Sequence, residues 1–554
     1  MKTFPRILLL VVAAGLCFAG NGKLAKDLQG LHPSAKVDVI IQFVPGTNGA
    51  SPSINLGAGK LKKLFSKVNQ ILAEMPAAAL AALSKNPNIH FISPDRPLKR
   101  NLEYAAPAVG ANIAFNYGWT GAGIGLAIID SGISPHADLA GRVVHNENFV
   151  ANEISALDLY GHGTHVGVIA AGGAVASTGN GAFRQFRGVA PQSSLINLRV
   201  LRADGSGSDS SVIAAIDRAI ELKNQYNIRV INLSLGRGIF ESHTLDPLCL
   251  AVKRAYEAGI VVVVAAGNKG RDNSLGTKGY GTIGSPGNSP YAITVGAMND
   301  RGTGSRADDV ICSYSSKGPT LIDRVVKPDL VAPGNRMISG FVAGSTLATQ
   351  HASGIVARSY YTTNLIGSIE YFRASGTSMA TPVVSGAAVL LLHKTPSLTP
   401  DGVKAILMKT ATKVSPRFGT ARDILTSIVY SAQYDVFTYG AGYVDVWAAL
   451  NNSDVIPAGK PAISPALGRN LVTNEYYFVH GHNILWGDNI LWGDNLVWGD
   501  VVFDGGSRLW GQNILWGDTT ASGYNILWGD NILWGDTVVF PRAVETGGDT
   551  ETEN

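Results

Sequence analysis

Residues 125–133, Gly-Leu-Ala-Ile-Ile-Asp130-Ser-Gly-Ile, decide the fold. An unbroken apolar run, Leu126 to Ile129, ends on an acid and a Ser-Gly turn. A strand that is apolar at successive positions is buried on both faces, as in a parallel sheet covered by helices. Together with Ile124 the run makes one of four such segments, the others being Leu195–Val200, Val230–Leu233 and Ile260–Val264. Helical stretches separate them. In Ser211–Leu222, the residues Val212, Ala215, Ile216, Ala219 and Ile220 share one face, and Ser and Asp residues just ahead are cap candidates. From about Ala105 to Leu450 the chain therefore reads as α/β, a parallel sheet flanked by helices, with sites expected at the carboxyl ends of strands.

Three segments in this region carry chemistry. Asp130 closes the first strand. Gly161-His162-Gly-Thr-His165-Val sets a histidine in a glycine-rich turn that opens a helical run of small residues. Ser375-Gly-Thr-Ser378-Met-Ala-Thr-Pro382 starts an apolar helix, Val383–His393. A serine hydroxyl is a poor nucleophile until a base takes its proton. His162 titrates in the right range for that base, and an acid such as Asp130 fixes the imidazole tautomer. A helix N-terminus at Ser378 supplies free N–H groups and a favourable dipole for a developing oxyanion. Each segment alone is a modest signal, since a strand-end Asp is more often a turn residue and Gly-Thr-Ser is usually a loop.

Taken together, the three segments resemble the active-site signatures of the subtilisin-like serine proteases, the subtilases, in the chain order Asp, His, Ser and with Asp130 and His162 32 positions apart. Val262-Val-Val-Ala-Ala-Gly267-Asn268 is similar to the strand that ends in the family's oxyanion asparagine. The resemblance spans about residues 105–450. It implies a serine endopeptidase with Asp130, His162 and Ser378 as catalytic residues and Asn268 as oxyanion donor beside the Ser378 N–H. Protein or peptide substrates would lie between two edges, Gly205-Ser206-Gly207 and Ser234-Leu235-Gly236, bound as an added strand. Gly284 would line the primary pocket, with Lys269 at its rim. Lys327–Gly334 and Tyr439–Asp445 are also family-like. No cofactor is expected for catalysis, whereas a structural calcium is, with Asp138 as one ligand. The chain departs from the pattern at Gly167-Val168, where the family usually has Ala-Gly, in an added stretch Ser345–Glu370, and in Gly172–Arg187, which replaces the usual calcium loop.

The flanks suggest processing. Lys2 and Arg6 followed by the apolar run Ile7–Leu16 have the order of a secretory signal, residues 1–19. Residues 20–104 form a small α+β segment, with strand-like Val37–Val44, helix-like Leu61–Ala82 and a second apolar patch Ile89–Ile92. By resemblance this is an inhibitory prodomain whose tail occupies the active site until it is cut near Leu102 to Tyr104, which implies a large apolar or aromatic residue before the scissile bond. Residues 105–452 are the catalytic domain and 453–482 a linker, because Pro457–Gly468 is rich in Pro, Gly and Ala. Residues 483–541 repeat Asn-Ile-Leu-Trp-Gly-Asp with a period of six, and seven of the nine tryptophans lie there. An even period puts every Trp on one side of an extended chain, so a β-type repeat region is expected. Its Trp and Leu residues form either the repeat's own core or a strip for polysaccharide or a cell surface. Residues 542–554 are an acidic tail.

A formal net charge of +4 with no basic, aromatic-interleaved stripe excludes a nucleic-acid partner. Once Cys17 leaves with the signal, Cys249 and Cys312 either pair or stay as buried thiols. A secreted, extracellular endopeptidase is the leading expectation. The alternative is a binding or adhesion protein that displays the Trp repeat on a subtilase scaffold.

Overall fold

The computed structural model describes residues 23–25, 28, 31–44, 56–65, 69–94, 105–179, 181–274, 276–413, 418–423, 428–453, 461–469, 476–478, 501–504 and 507–510. The chain divides into two compact units, residues 1–98 and 99–554. The signal segment, the expected cut at 102–104, the acidic tail and most of the hexapeptide repeat lie outside the described residues.

In the first unit, β1 (Lys36–Phe43), β2 (Lys60–Phe65), β3 (Gln70–Pro76) and β4 (Ile89–Pro94) form an antiparallel sheet in the order β2-β3-β1-β4. The helix α1 (Ala77–Leu83) packs on it through Leu80 and Leu83. Alternate residues face the core, as the two-residue period of a strand requires: Val39, Ile41 and Phe43 on β1, and Ile71, Ala73 and Met75 on β3. The expected helix Leu61–Ala82 is therefore wrong for most of its length. Leu61, Leu64, Ile71 and Leu72 mimic helical spacing, but a turn at Asn69, at a φ of 51°, splits the run into two strands. Leu61 and Leu64 are left exposed on the edge strand.

In the second unit, β5 (Gly125–Asp130), β6 (Val143–Asn148), β7 (Ser194–Arg199), β8 (Ile228–Leu233), β9 (Val261–Ala265), β10 (Ile293–Asn299), β11 (Val310–Ile311) and β12 (Leu330–Pro333) build an eight-stranded sheet. The order is β11-β10-β9-β8-β5-β7-β6, with β12 beside β10, and every pair is parallel except β10–β11. Both faces are covered, as the apolar runs predict. Leu126 and Ile128 point into one core with α2 (His162–Ala171) and α5 (Thr377–Lys394). Ala127 and Ile129 point into another with α3 (Asp209–Glu221) and α4 (Pro247–Glu257). The chain leaves β5 towards β6 and β7 on one side and returns to β8, β9 and β10 on the other. The crevice beyond Asp130 thus opens at the switch point where such sheets bind ligands.

The departures from the family pattern are built into this body. Val168 on α2 is fully buried, and Gly340 at the end of β13 (Met337–Gly340) makes room for it; a Cβ there would lie 2.8 Å from Val168 Cγ2. The added stretch Ser345–Glu370 is tied into the body. Thr346 and Leu347 donate backbone bonds to Leu159 and Tyr160 (3.1 and 3.0 Å), just ahead of His162. Its strand β14 (Ile355–Val356) pairs with β15 (Tyr371–Ala374), which also pairs with β13. Fully buried Tyr361 packs edge-on against Phe186 and Tyr371.

The helix α6 (Pro400–Thr410), the hairpin β16 (Phe418–Arg422) and β17 (Val429–Gln433), and a last helix α7 (Val446–Asn451) complete the domain up to 451. The expected linker 453–482 needs correction, because residues 461–467 belong to the same core. Val326 donates to the Pro465 carbonyl (2.8 Å), Ser464 to Pro290 (3.0 Å) and Leu467 to Arg324 (3.0 Å). Beyond them β18 (Leu467–Arg469) pairs with β19 (Tyr476–Phe478). Ser464 also joins a buried ion cluster: its hydroxyl donates to Asp329 Oδ1 (2.5 Å), and Asp329 sits between Lys327 (2.6 Å) and Lys404 (3.2 Å). A Pro- and Gly-rich composition cannot disclose such a polar anchor. Within the repeat, β20 (Val501–Asp504) and β21 (Ser507–Trp510) pair antiparallel with Val501 opposite Trp510.

Burial pulls the Lys327 ammonium down to about 7 despite Asp329 beside it. Removing a partner from a buried ion cluster leaves charge uncompensated. Asp329→Ala is expected to cost about 3–5 kcal/mol in guanidinium unfolding; a loss under about 1 kcal/mol, the range of an exposed pair, would refute this role.

Candidate active site

Asp130 ends β5 and is fully buried. Its Oδ1 accepts the Ser131 N–H (2.7 Å) and lies 2.7 Å from His162 Nδ1. A carboxylate oxygen only accepts, so Nδ1 carries the proton and Nε2 presents its lone pair. His162 is the first residue of α2, whose N-cap is Gly161 at a φ of 99°, with no side chain to satisfy the helix's free N–H groups. Asp158 supplies that cap: Oδ1 accepts from Gly161 (2.7 Å) and Oδ2 from Thr164 (2.8 Å). The Ser131 hydroxyl donates to Asp158 Oδ1 (2.8 Å) and accepts from Gly163 (2.9 Å), tying the residue after Asp130 to the start of the histidine helix. Neither Asp158 nor Ser131 was singled out by the sequence reading. The available signal was an acid just ahead of a helix whose own cap is glycine.

The two histidines of the motif differ in kind. Burial draws the His162 imidazole down, but the charge and hydrogen bond of Asp130, with the Asp158 charge behind them, raise it above its ordinary value. His165 is buried without a counter-charge and near His162, which together hold it down to about 3. Its Nε2 donates to the carbonyls of Met337 (3.2 Å) and Phe372 (3.1 Å), so it stays neutral and ties α2 to β13 and β15.

Ser378 is the second residue of α5. Apart from Ser378 and the final His393 and Lys394, every residue of that helix is buried. Pro382 lies inside it and has no N–H to give the carbonyl four residues back, that of Ser378. Ser234 fills the gap, its hydroxyl donating to the Ser378 carbonyl (2.9 Å). The Ser378 hydroxyl in turn donates to the Ser234 carbonyl (3.1 Å). Asn232 anchors the pair: its Nδ2 donates to Ser234 Oγ (2.9 Å) and its Oδ1 accepts from Ser385 (2.8 Å). The end of β8 and the serine helix are therefore joined at four side chains.

Asn268 follows β9. Its Oδ1 accepts the Thr377 N–H (2.9 Å) and hydroxyl (3.1 Å), which orients the amide and leaves Nδ2 as the group to donate. A Cβ on Gly376, at a φ of 154°, would come within 3.2 Å of that Nδ2. Lys269 is exposed beside it.

The expected substrate edges flank these groups. Gly205, at a φ of 79°, lies under the Tyr160 ring, where a Cβ would stand 2.7 Å from Cζ, and that ring is 6.3 Å from His162. Gly207 bridges back to Leu201, and exposed Ser206 bonds Asp204 (2.6 Å). Gly236 and Gly284 each precede one member of an antiparallel backbone bridge, Arg237 to Ser285, while Leu235 packs against the core on the α3 and α4 face of the sheet. Gly284 also donates to Ala266 (3.1 Å), just ahead of Asn268.

Asp138 does not fit a calcium site, contrary to expectation. Its Oδ1 accepts the Ala176 N–H and its Oδ2 the Tyr371 hydroxyl, both at 2.8 Å, and the residue is buried. A calcium ligand set turns acceptor oxygens towards the ion, whereas here donors point at the carboxylate. Burial pushes this carboxyl up, only partly opposed by His136 and the two donors. Among the described residues no group of three or more His, Cys, Asp or Glu could hold a metal. Cys249 and Cys312 are both buried, and no disulfide joins them.

The profile described as the subtilase family matches residues 121–442. The chain is 38% identical over 392 residues to serine protease AprX of Bacillus subtilis, spanning 68% of this chain and 83% of that one. It is 33% identical over 396 residues to subtilisin E of the same species, spanning 71% and 83%. Among solved structures, sphericase matches at 29% identity and a TM-score of 0.45, over 59% of this chain and 92% of that one. The fold is a largely parallel sheet covered on both faces with an Asp–His pair at its switch point, the α/β class. The chain belongs to the subtilase family and is a subtilisin-like serine endopeptidase, whose chemistry needs no cofactor.

If Tyr371 stands where an ion was expected, Asp138→Asn should leave unchanged any shift in Tm between excess calcium and excess EDTA. A calcium-dependent shift that Asp138→Asn abolishes would restore the metal.

Proposed function

We propose that the chain is a secreted endopeptidase that cleaves through Ser378, His162 and Asp130, self-processed from a zymogen. The observation that carries this reading is the 2.7 Å contact between His162 Nδ1 and the buried Asp130, which leaves Nε2 free to act as a base. Rotation about the Ser378 Cα–Cβ bond exchanges the Ser234 carbonyl for His162 Nε2 as hydrogen-bond partner; such contacts often tighten only with substrate bound. The hydroxyl then attacks the peptide carbonyl while His162 takes its proton, and Asp130 stabilises the imidazolium. The oxyanion accepts from Asn268 Nδ2 and the Ser378 N–H. His162 passes its proton to the departing amine, and water releases the acyl group by the same route.

Substrate backbone pairs with Gly205–Gly207 and Ser234–Gly236, and the residue before the cut, large and apolar or aromatic, enters beside Gly284. Residues 20–104 act as the intramolecular inhibitor and residues 1–19 as the export signal. Among the described residues no helix is long and apolar enough to cross a membrane.

Wild type and Ser378→Ala, expressed side by side, test the reading by intact mass and casein hydrolysis. Wild type is expected to lose about residues 1–104 and to digest casein, and the variant to keep its prodomain and digest nothing. Casein hydrolysis by folded Ser378→Ala, or an inert full-length wild type, overturns it.

A further inference from the structure

The segment carrying Gly284, assigned to the primary pocket, pairs with the segment carrying Gly236, and the two glycines lie on one side of that pairing as the Gly236–Gly284 wall. Arg237 and Ser285 exchange both backbone hydrogen bonds, each 2.8 Å. A Cβ at Gly236 would stand 2.8 Å from the Ser285 carbonyl oxygen, and one at Gly284 2.8 Å from that of Arg237. The side chains of the pair then converge on one carboxylate. Arg237 Nη2 donates to Asp246 Oδ1 (3.0 Å) and Ser285 Oγ to Asp246 Oδ2 (2.7 Å). Oδ1 also accepts the Leu248 N–H (2.9 Å), capping α4.

Asp246 is fully buried, and a buried carboxylate is tolerated only with donors such as these. On its outer side Arg237 is held by Asp209, the first residue of α3 (2.9 and 3.1 Å from Nε), and by Glu241 (3.4 Å). The guanidinium is thereby neutralised, so the wall offers backbone and glycine surface to an incoming side chain rather than a free charge. Capping α4 needs only one Asp246 oxygen. The second oxygen, directed at Ser285, has no part in the helix.

We propose that Asp246 is a positioning residue for substrate selection, clamping Arg237 and Ser285 together so that the Gly236–Gly284 wall keeps the width that admits a large apolar or aromatic side chain before the scissile bond. This rests on the pocket assignment made under Proposed function. A tight apolar pocket discriminates by packing, and a small change of fit is worth roughly tenfold or more. Loosening the clamp therefore costs the well-fitting substrate most.

The test uses the enzyme produced from its full chain, with active sites counted by a fluorophosphonate that bonds to Ser378. Peptides differing only in Phe or Ala before the cut are compared for wild type, Asp246→Asn and Ser285→Ala. Asp246→Asn keeps the cap acceptor and the side-chain volume while removing the charge; Ser285→Ala removes one hydroxyl. Per active site, the Phe-to-Ala ratio of kcat/KM is expected to fall roughly tenfold in Asp246→Asn, mainly through KM, and less in Ser285→Ala. A purely structural carboxylate lowers Tm and the active fraction but leaves the ratio unmoved, and that result overturns the proposal. Should Asp246→Asn fail to fold, the Ser285→Ala ratio decides alone. If wild type is not labelled at Ser378 and cuts neither peptide, the reading of the site itself fails and takes this inference with it.

Discussion

Burying Asp130 is the constraint around which the second unit is arranged. A carboxylate removed from water needs donors, and Asp130 finds two on one oxygen, the Ser131 N–H and His162 Nδ1. Its Oδ2 is buried with no hydrogen-bond partner among the described residues, so the charge is under-solvated and its field bears on the imidazole. Water is kept from the contact because β5 lies inside a sheet covered on both faces. The same placement sets the ends of β7 and β8 on either side of it, with β9 beyond β8, where the substrate edges and Asn268 follow.

Around that contact, each candidate group is held by a device that answers a local defect. Gly161 leaves the histidine helix uncapped, and Asp158 caps it. Pro382 withholds a hydrogen bond from the Ser378 carbonyl, and Ser234 provides one. Asn268 would be free to flip, and Thr377 fixes its oxygen. Such defects cluster where function needs side chains presented at strand ends and helix starts, and repair from neighbouring elements keeps them rigid.

Much of this was legible in the sequence. The apolar runs ending at Asp130, Leu233 and Val264 marked strands buried on both faces, and the order of Asp130, His162 and Ser378, with the first two 32 positions apart, resembled a catalytic set of which the structure joins Asp130 to His162 and Ser378 to Ser234. Repairs made across the fold were not legible, because nothing in the chain near Asp158 or Ser234 names its distant partner. The helix expected over Leu61–Ala82 failed because an edge strand with exposed leucines has no clear two-residue period. Asp138 matched a calcium ligand by position, yet Tyr371, over two hundred residues further on, occupies its carboxylate. Ser464 sits in a stretch composed like a linker, which is fixed by the buried Asp329 and by backbone bonds to Pro290, Arg324 and Val326.

The central claim is that Asp130 makes His162 a base, and kcat/KM of Asp130→Asn across pH tests it most directly. The substitution keeps the shape but supplies a donor where Nδ1–H needs an acceptor, favouring the wrong tautomer. Catalysis needs neutral His162, and Asp130 holds its pKa up, so removing the charge moves the acid limb to lower pH. The account predicts a fall on the order of 10⁴ in turnover with the fold intact and the acid limb displaced downward. A folded Asp130→Asn enzyme with near wild-type turnover and an unmoved acid limb would contradict it.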